Sequence, residues 1–184
     1  MQLTDYSKPT PLVAQALADF PPGEALDIGA YEGRNSLYLA KLGWKVTAVD
    51  TDETALKALR DAADKQGLSI ATITADVREY EPTGRFDAVL CLMVLHFLPE
   101  KDIASAIANM QAWTKPSGLN LITAFTDSNP PGTRPYLFPS HALEQHYGTW
   151  KIHQYEEAWS SWVVPQGKTE PERYMTARLV AERP

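Results

Sequence analysis

With 184 residues, about 44% of them apolar, the chain is long enough to fold as one domain around a sizeable core, and a disordered chain is excluded. Seventeen Lys and Arg stand against 23 Asp and Glu, a formal net charge of −6, so no global positive field exists to hold a polyanion such as DNA. The longest purely apolar run, residues 88–95, is far shorter than the roughly 20 residues that cross a bilayer, and residues 1–6 carry neither the basic patch nor the apolar stretch of a secretory signal. The single cysteine, Cys91, forms no internal disulfide and agrees with a reducing compartment. The expectation is a cytoplasmic monomer or homodimer with no nucleic-acid or membrane partner.

An N-terminal helix is predicted over 11–20, and the turn Pro21-Pro22-Gly23 leads into a short strand over 25–28 and a glycine-bearing loop. A helix over 34–42 is stopped by Gly43, followed by a β-branched strand over 45–50 that ends on an acid. Thr51 or Asp52 caps the next helix, which shows Leu56, Leu59 and Ala63 on one face and stops at Gly67. Strands follow over 69–75 and 86–92, the second apolar on both faces as a central parallel strand should be. Pro99 opens a helix with Ile103, Ile107 and Met110 as its buried stripe, Pro116 and Gly118 end it, and a strand occupies 119–125. A short helix near 140–147 precedes two strand-like runs, 150–156 and 173–181, with no good helix between them.

This alternation predicts an α/β fold, a mostly parallel sheet with helices on both faces, because each parallel connection must cross over the sheet. The last two strands lack such a crossover and predict an antiparallel hairpin at one edge, unlike an ordinary dinucleotide-binding fold. One domain over 1–184 is expected, with 1–24 as an N-terminal helix and cap. Residues 129–139 hold four of the 14 prolines and form a connector long and stiff enough to act as a lid.

The chemistry is carried by Leu26-Asp27-Ile28-Gly29-Ala30-Tyr31-Glu32-Gly33-Arg34-Asn35-Ser36, followed by Val49-Asp50. Ligands of open α/β sheets bind beyond the carboxyl ends of the strands, so Asp27, Asp50 and Asp76 are expected to converge on one crevice. A carboxylate ending the second strand is placed to accept both ribose hydroxyls, which assigns Asp50, with Thr51 beside it, to a nucleoside. Gly29 and Gly33 let the loop backbone approach the ligand closely. The glycines are spaced Gly-x-x-x-Gly, and the Gly-x-Gly-x-x-Gly dinucleotide motif is absent. Asp27 would repel a pyrophosphate but suits a cation, so S-adenosylmethionine (SAM), which carries a sulfonium and an ammonium, is favoured over NAD.

That segment resembles the first motif of class I SAM-dependent methyltransferases. Gly33-Arg34-Asn35-Ser36-Leu37-Tyr38-Leu39-Ala40, Ile107-Ala108-Asn109-Met110-Gln111 and Thr114-Lys115-Pro116-Ser117-Gly118 resemble, more narrowly, the tellurite-resistance methyltransferases of the TehB type. The likeness runs over 25–181. It implies the class I methyltransferase (Rossmann-like) fold, a seven-stranded sheet with a reversed last strand, and SAM as cofactor with S-adenosylhomocysteine (SAH) as product. It places Asp27 and Gly29 at the methionine part, Asp50 at the ribose, and Asp76 with Val77 at the adenine. Two departures stand out: Ala30-Tyr31 replaces the family's usual Cys-Gly, and Val163 and Val164 stand where family members carry a His-Arg pair. If that pair handles an oxyanion such as tellurite, this chain has lost it.

Arg34, in the first turn of its helix, is a candidate for the cofactor carboxylate. His96, just past the fourth strand, is the candidate catalytic base, since imidazole ordinarily titrates near pH 6.5. Arg134 is the charge in the 129–139 loop and a candidate anion contact, and Trp159 and Trp162 are candidates to close an apolar acceptor pocket. His141, His146 and His153 lack the spacing of a metal site, so no metal is expected. Transfer of a methyl group to a small, soft or apolar acceptor, such as tellurite, selenite or a thiol, is the expected activity. The alternatives are a non-catalytic SAM- or SAH-binding domain and a nicotinamide oxidoreductase.

Overall fold

The computed structural model describes residue 5 and residues 7–132, 134–164 and 169–184. Along the chain lie α1 (Pro11–Ala16), β1 (Glu24–Ile28), α2 (Arg34–Lys41), β2 (Lys45–Asp50), α3 (Glu53–Asp64), β3 (Ile70–Thr74), β4 (Phe86–Leu92), a 3-10 turn (Leu95–Phe97), α4 (Glu100–Trp113), β5 (Thr114–Phe125), α5 (Ala142–Gln145), β6 (Lys151–Trp159) and β7 (Met175–Glu182). The strands form one seven-stranded sheet in the order β3-β2-β1-β4-β5-β7-β6. All pairings from β3 to β5 are parallel, and β7 runs antiparallel to both β5 and β6. The reversed last strand and the edge hairpin are therefore present as the sequence predicts.

Strand parity divides the core into two layers. Leu26 and Ile28 of β1, Val89 and Cys91 of β4, and Ile122 of β5 pack with Ile103, Ile107 and Met110 of α4. Ala25, Ala88, Leu90 and Leu121 face the other way, against Leu12 and Val13 of α1 and Leu39 of α2. Burial on both faces explains why β4 is apolar throughout from Ala88 to Leu92. Asp27 shares the parity of Ala25, which points its side chain toward α2, and this decides much of the site.

Two boundaries differ most from the sequence reading. The first helix stops at Ala16 instead of reaching residue 20. Of the two cap candidates for α3 it is Asp52 that caps, accepting the N–H groups of Thr54 and Ala55 at 2.9 and 3.1 Å. Pro116 and Gly118 lie inside β5 instead of separating it from α4. Helix α4 ends at Trp113 because the Thr114 hydroxyl takes over, donating to the Met110 carbonyl at 2.7 Å while accepting from the Asn120 amide at 2.6 Å. The proline is tolerated there because β5 departs from regular pairing with β4 between Phe86 and Ala88.

Candidate functional site

The strand order reverses between β1 and β4, and the crevice opens at that switch point. It is a cavity of about 570 Å³, within the usual size of small-molecule sites. Gly29 follows β1, Asp50 and Thr51 end β2, Ala75 to Arg78 follow β3, and Met93, Val94, Phe97, Leu98 and Pro99 follow β4 to form its lining.

The loop after β1 is bent by three successive departures into the left-handed region: Gly29 at φ 70°, Tyr31 at φ 51° and Gly33 at φ 77°. The N–H groups of Gly29 and Ala30 both donate to the Val49 carbonyl, at 2.8 and 3.2 Å, which locks the loop to β2. A Cβ on Gly33 would lie 2.2 Å from Leu59 Cδ1, so this glycine is required for packing against α3. Tyr31 is 54% exposed and outside the cavity lining, so it does not plug the crevice. Its N–H donates to Asp50 Oδ2 at 2.8 Å, which fixes the loop in a conformation unfavourable for a side chain. Tyr31→Gly is expected to stabilise the fold by roughly 0.5–1 kcal/mol, the left-handed penalty less the extra entropy of glycine, read as a higher urea midpoint; an unchanged or lower midpoint contradicts the strain.

Asp50 is held from the backbone on both carboxylate oxygens. Oδ2 accepts from Tyr31 and Oδ1 accepts from the Asp52 N–H at 2.9 Å, so the carboxylate is oriented before any ligand arrives. Asp76 is paired with Arg78, whose Nη2 lies 2.6 Å from Oδ2 and whose backbone N–H and Nε each donate to Oδ1 at 2.9 Å. These bonds hold the Asp76 carboxyl below the usual carboxylate range.

The expected convergence of three aspartates holds for Asp50 and Asp76 only. Asp27 is 2% exposed, does not line the cavity, and accepts the Ser36 hydroxyl at 2.6 Å. Gly33 and Arg34 also stand back from the lining, Gly33 preceding α2 and Arg34 opening it half-buried. His96 is a correction. Its ring is 1% exposed, stacks on Phe125 at 4.1 Å and accepts the Phe125 N–H through Nδ1 at 3.3 Å. Burial, with help from the Arg134 charge, pushes its pKa down to about 3, so at neutral pH it is an uncharged core imidazole and not a general base facing the cavity. Trp159 and Trp162 are likewise corrected. Their rings sit on the Arg173 guanidinium, at 4.8 and 5.2 Å, and neither lines the cavity. Arg134 lies against the ring of Phe97, which does line it. Met93, Val94, Phe97 and Arg78 were missed as lining residues. Their signal was position after β3 and β4, overshadowed by the titratable His96.

Asp27 and His96 give stability opposite pH slopes. Burial first raises the Asp27 carboxyl from 3.8 to about 6, against the lowering effects of Ser36 and Arg34, so its contribution is fully present below pH 3.8 and lost as the pH rises through about 6. The shift corresponds to roughly 3 kcal/mol. His96 moves from 6.5 to about 3, so its contribution is present above pH 6.5 and lost as the pH falls toward 3. Between pH 3.8 and about 6 the two oppose each other. Asp27→Asn is therefore expected to make the urea midpoint fall more steeply with acid than in the wild type; equal slopes contradict the assignment.

The family model described as tellurite resistance protein TehB matches residues 6–163. The chain belongs to the TehB family. A probable S-adenosyl-L-methionine-dependent methyltransferase TehB of Haemophilus influenzae (strain 10810) is 34% identical over 148 residues, 79% of this chain and 52% of its own length. The chain thus spans about half the length of the curated TehB relatives it matches. The crystal structure of TehB from Haemophilus influenzae matches with a TM-score of 0.84 at 29% identity, covering 94% of this chain and 61% of that one. Magnesium protoporphyrin IX methyltransferase from Synechocystis PCC 6803, solved with bound SAM, matches at a TM-score of 0.72 and 22% identity over 94% of this chain and 76% of that one; what it shares is the fold. The architecture is that of the class I methyltransferases. At the two positions where the TehB resemblance expects His-Arg, Val163 forms an isolated bridge with Glu172 and Val164 is 46% exposed. Among the described residues no helix is long and apolar enough to cross a membrane, and no group of His, Cys, Asp and Glu is placed to hold a metal.

Proposed function

We propose that the chain is a SAM-dependent methyltransferase acting on a small, soft or apolar acceptor. The observation that carries this reading is the Asp50 carboxylate, held by two backbone N–H groups at the end of β2 and opening on a cavity that runs from Gly29 to Asp76 and Val77. Asp50, with Thr51, takes the ribose hydroxyls; Asp76 accepts the adenine amino group and Val77 packs on the ring; Gly29 lets the backbone approach the methionine part. Asp27, Gly33 and Arg34 act from behind, shaping the loop and its field. The TehB membership and the names of the relatives support the same cofactor.

When bound, SAM supplies a methyl carbon made electrophilic by its sulfonium. The chain contributes position: Met93, Val94 and Phe97 wall the space where an acceptor would meet that carbon, and holding the two in line is where most of the acceleration arises. Of the two departures that favour the non-catalytic alternative, Tyr31 has its side chain outside the cavity lining, and Val163 and Val164 stand in place of the His-Arg pair. The chain is read as one domain over 1–184 in the cytoplasm, with 1–24 as N-terminal helix and cap and 129–139 as a lid loop. The test is transfer of label from methyl-labelled SAM to thiol, selenite and tellurite acceptors. Product with any of them supports the proposal, whereas SAH binding without transfer to any acceptor supports the non-catalytic reading.

A further inference from the structure

Asp50 and Asp76 stand at neighbouring strand ends and are held in different ways. Asp50 has a backbone N–H on each oxygen, from Tyr31 and Asp52. Asp76 has one backbone donor, the Arg78 N–H on Oδ1 at 2.9 Å, and its Oδ2 is held by a side chain instead. The Arg78 guanidinium closes a fork on the carboxylate, with Nε 2.9 Å from Oδ1 and Nη2 2.6 Å from Oδ2, while Nη1 reaches Asp102 of α4 at 3.4 Å. The arginine is also anchored at its root. The turn it stands on is closed by the Glu79 and Tyr80 N–H groups, which donate to the Asp76 carbonyl at 3.0 and 2.9 Å, and Val77 and Tyr80 in that turn are buried. Both Asp76 and Arg78 line the cavity.

An ion pair whose arginine is 44% exposed contributes little to stability, so the fork is better explained by what it does to the direction of the carboxylate. Each carboxylate oxygen has room for about two donors. Oδ1 is filled by the Arg78 N–H and Nε, whereas among the described residues Oδ2 accepts from Nη2 alone. One acceptor position therefore remains, on Oδ2, and the planar guanidinium fixes the plane in which it lies. We propose that Arg78 is a positioning residue for the cofactor: its fork turns the Asp76 carboxylate so that the remaining position on Oδ2 meets the 6-amino group of adenine, which makes the crevice selective for a 6-amino purine. This rests on the assignment of the adenine to Asp76. Without the fork the carboxylate keeps one backbone bond but rotates more freely, and ligand binding must then order it.

The test is calorimetric titration of the full chain as wild type, Arg78→Met and Arg78→Lys, with SAH and with its 6-desamino analogue, in which hydrogen replaces the amino group. The wild type is expected to prefer SAH about tenfold, the worth of one hydrogen bond to a charged acceptor. Arg78→Met is expected to weaken SAH about three- to tenfold and to leave the analogue nearly unchanged, so the preference shrinks. Any packing lost with the arginine stem is common to both ligands and cancels in the ratio. Arg78→Lys keeps the charge but presents a single point in place of a fork, and is expected to recover only part of the preference. Binding of the analogue by all three proteins also shows that they are folded. A preference in Arg78→Met equal to that of the wild type, or one fully restored in Arg78→Lys, overturns the positioning role while leaving Asp76 at the adenine. A wild type that binds SAH and the analogue equally overturns that assignment too, and one that binds no SAH overturns the methyltransferase reading itself.

Discussion

Asp50→Ala is expected to weaken SAM and SAH binding roughly ten- to hundredfold, because two hydrogen bonds to a charged acceptor are together worth about 1.5–3 kcal/mol. The variant also removes the acceptor of the Tyr31 and Asp52 N–H groups, so the loop after β1 keeps its bonds to Val49 but loses the one at Tyr31, and the expected loss falls toward the upper end. Asp50→Asn separates the two contributions. It keeps the shape and one acceptor oxygen, so one of the two backbone bonds survives while the negative charge is gone, and an intermediate loss is expected. Calorimetry with SAH, on variants whose circular dichroism matches the wild type, reads both. An affinity unchanged in Asp50→Ala contradicts the ribose role.

Gly29→Ala is expected to abolish measurable cofactor binding. A Cβ at this position would lie 2.1 Å from Val94 Cγ2, and the backbone holds φ at 70°. The conformation alone costs about 1–2 kcal/mol for a residue with a side chain. The loop cannot back away, since the N–H groups of Gly29 and Ala30 are both committed to Val49. Val94 must move instead, and it lines the cavity, so the added methyl group is paid in cavity space. Val94→Ala in the same chain removes Cγ2 and leaves Val94 Cβ at 3.6 Å, an ordinary contact. The double variant is therefore expected to regain SAH binding while staying less stable than the wild type. A double variant that binds no better than Gly29→Ala contradicts the steric account.

Most of the fold was legible because its strongest signals are local. The run over 86–92 and the β-branched run over 45–50 coincide with β4 and β2, since burial on both faces keeps β4 apolar from Ala88 to Leu92 and the inner positions of β2, Val46, Ala48 and Val49, apolar as well. The end of α4 was misjudged because Pro116 and Gly118 are breakers in any sequence reading, whereas the Thr114 hydroxyl that ends the helix acts through bonds to Met110 and Asn120. In the crevice, Gly29, Asp50, Thr51, Asp76 and Val77 follow from strand ends and are found there. Asp27 was misplaced for a reason also present in the sequence: period-2 alternation puts it on the face of Ala25, away from Leu26 and Ile28. The chemistry of an imidazole singles out His96 in the sequence, but the 3-10 turn over Leu95–Phe97 buries it and leaves Met93, Val94 and Phe97 on the cavity wall. The aromatic bed under Arg134 draws on Phe97, Phe125 and Tyr174, three separate segments that only the folded sheet brings together.

The account stands on where a sulfur nucleoside sits, and a crystal structure grown with SAH measures this directly. The expected density has both ribose hydroxyls on the Asp50 carboxylate, the adenine between Asp76-Val77 and Leu98, and the sulfur directed at Met93 and Phe97. Density with the ribose away from Asp50, or a saturated crystal with no nucleoside in this cavity, would contradict it.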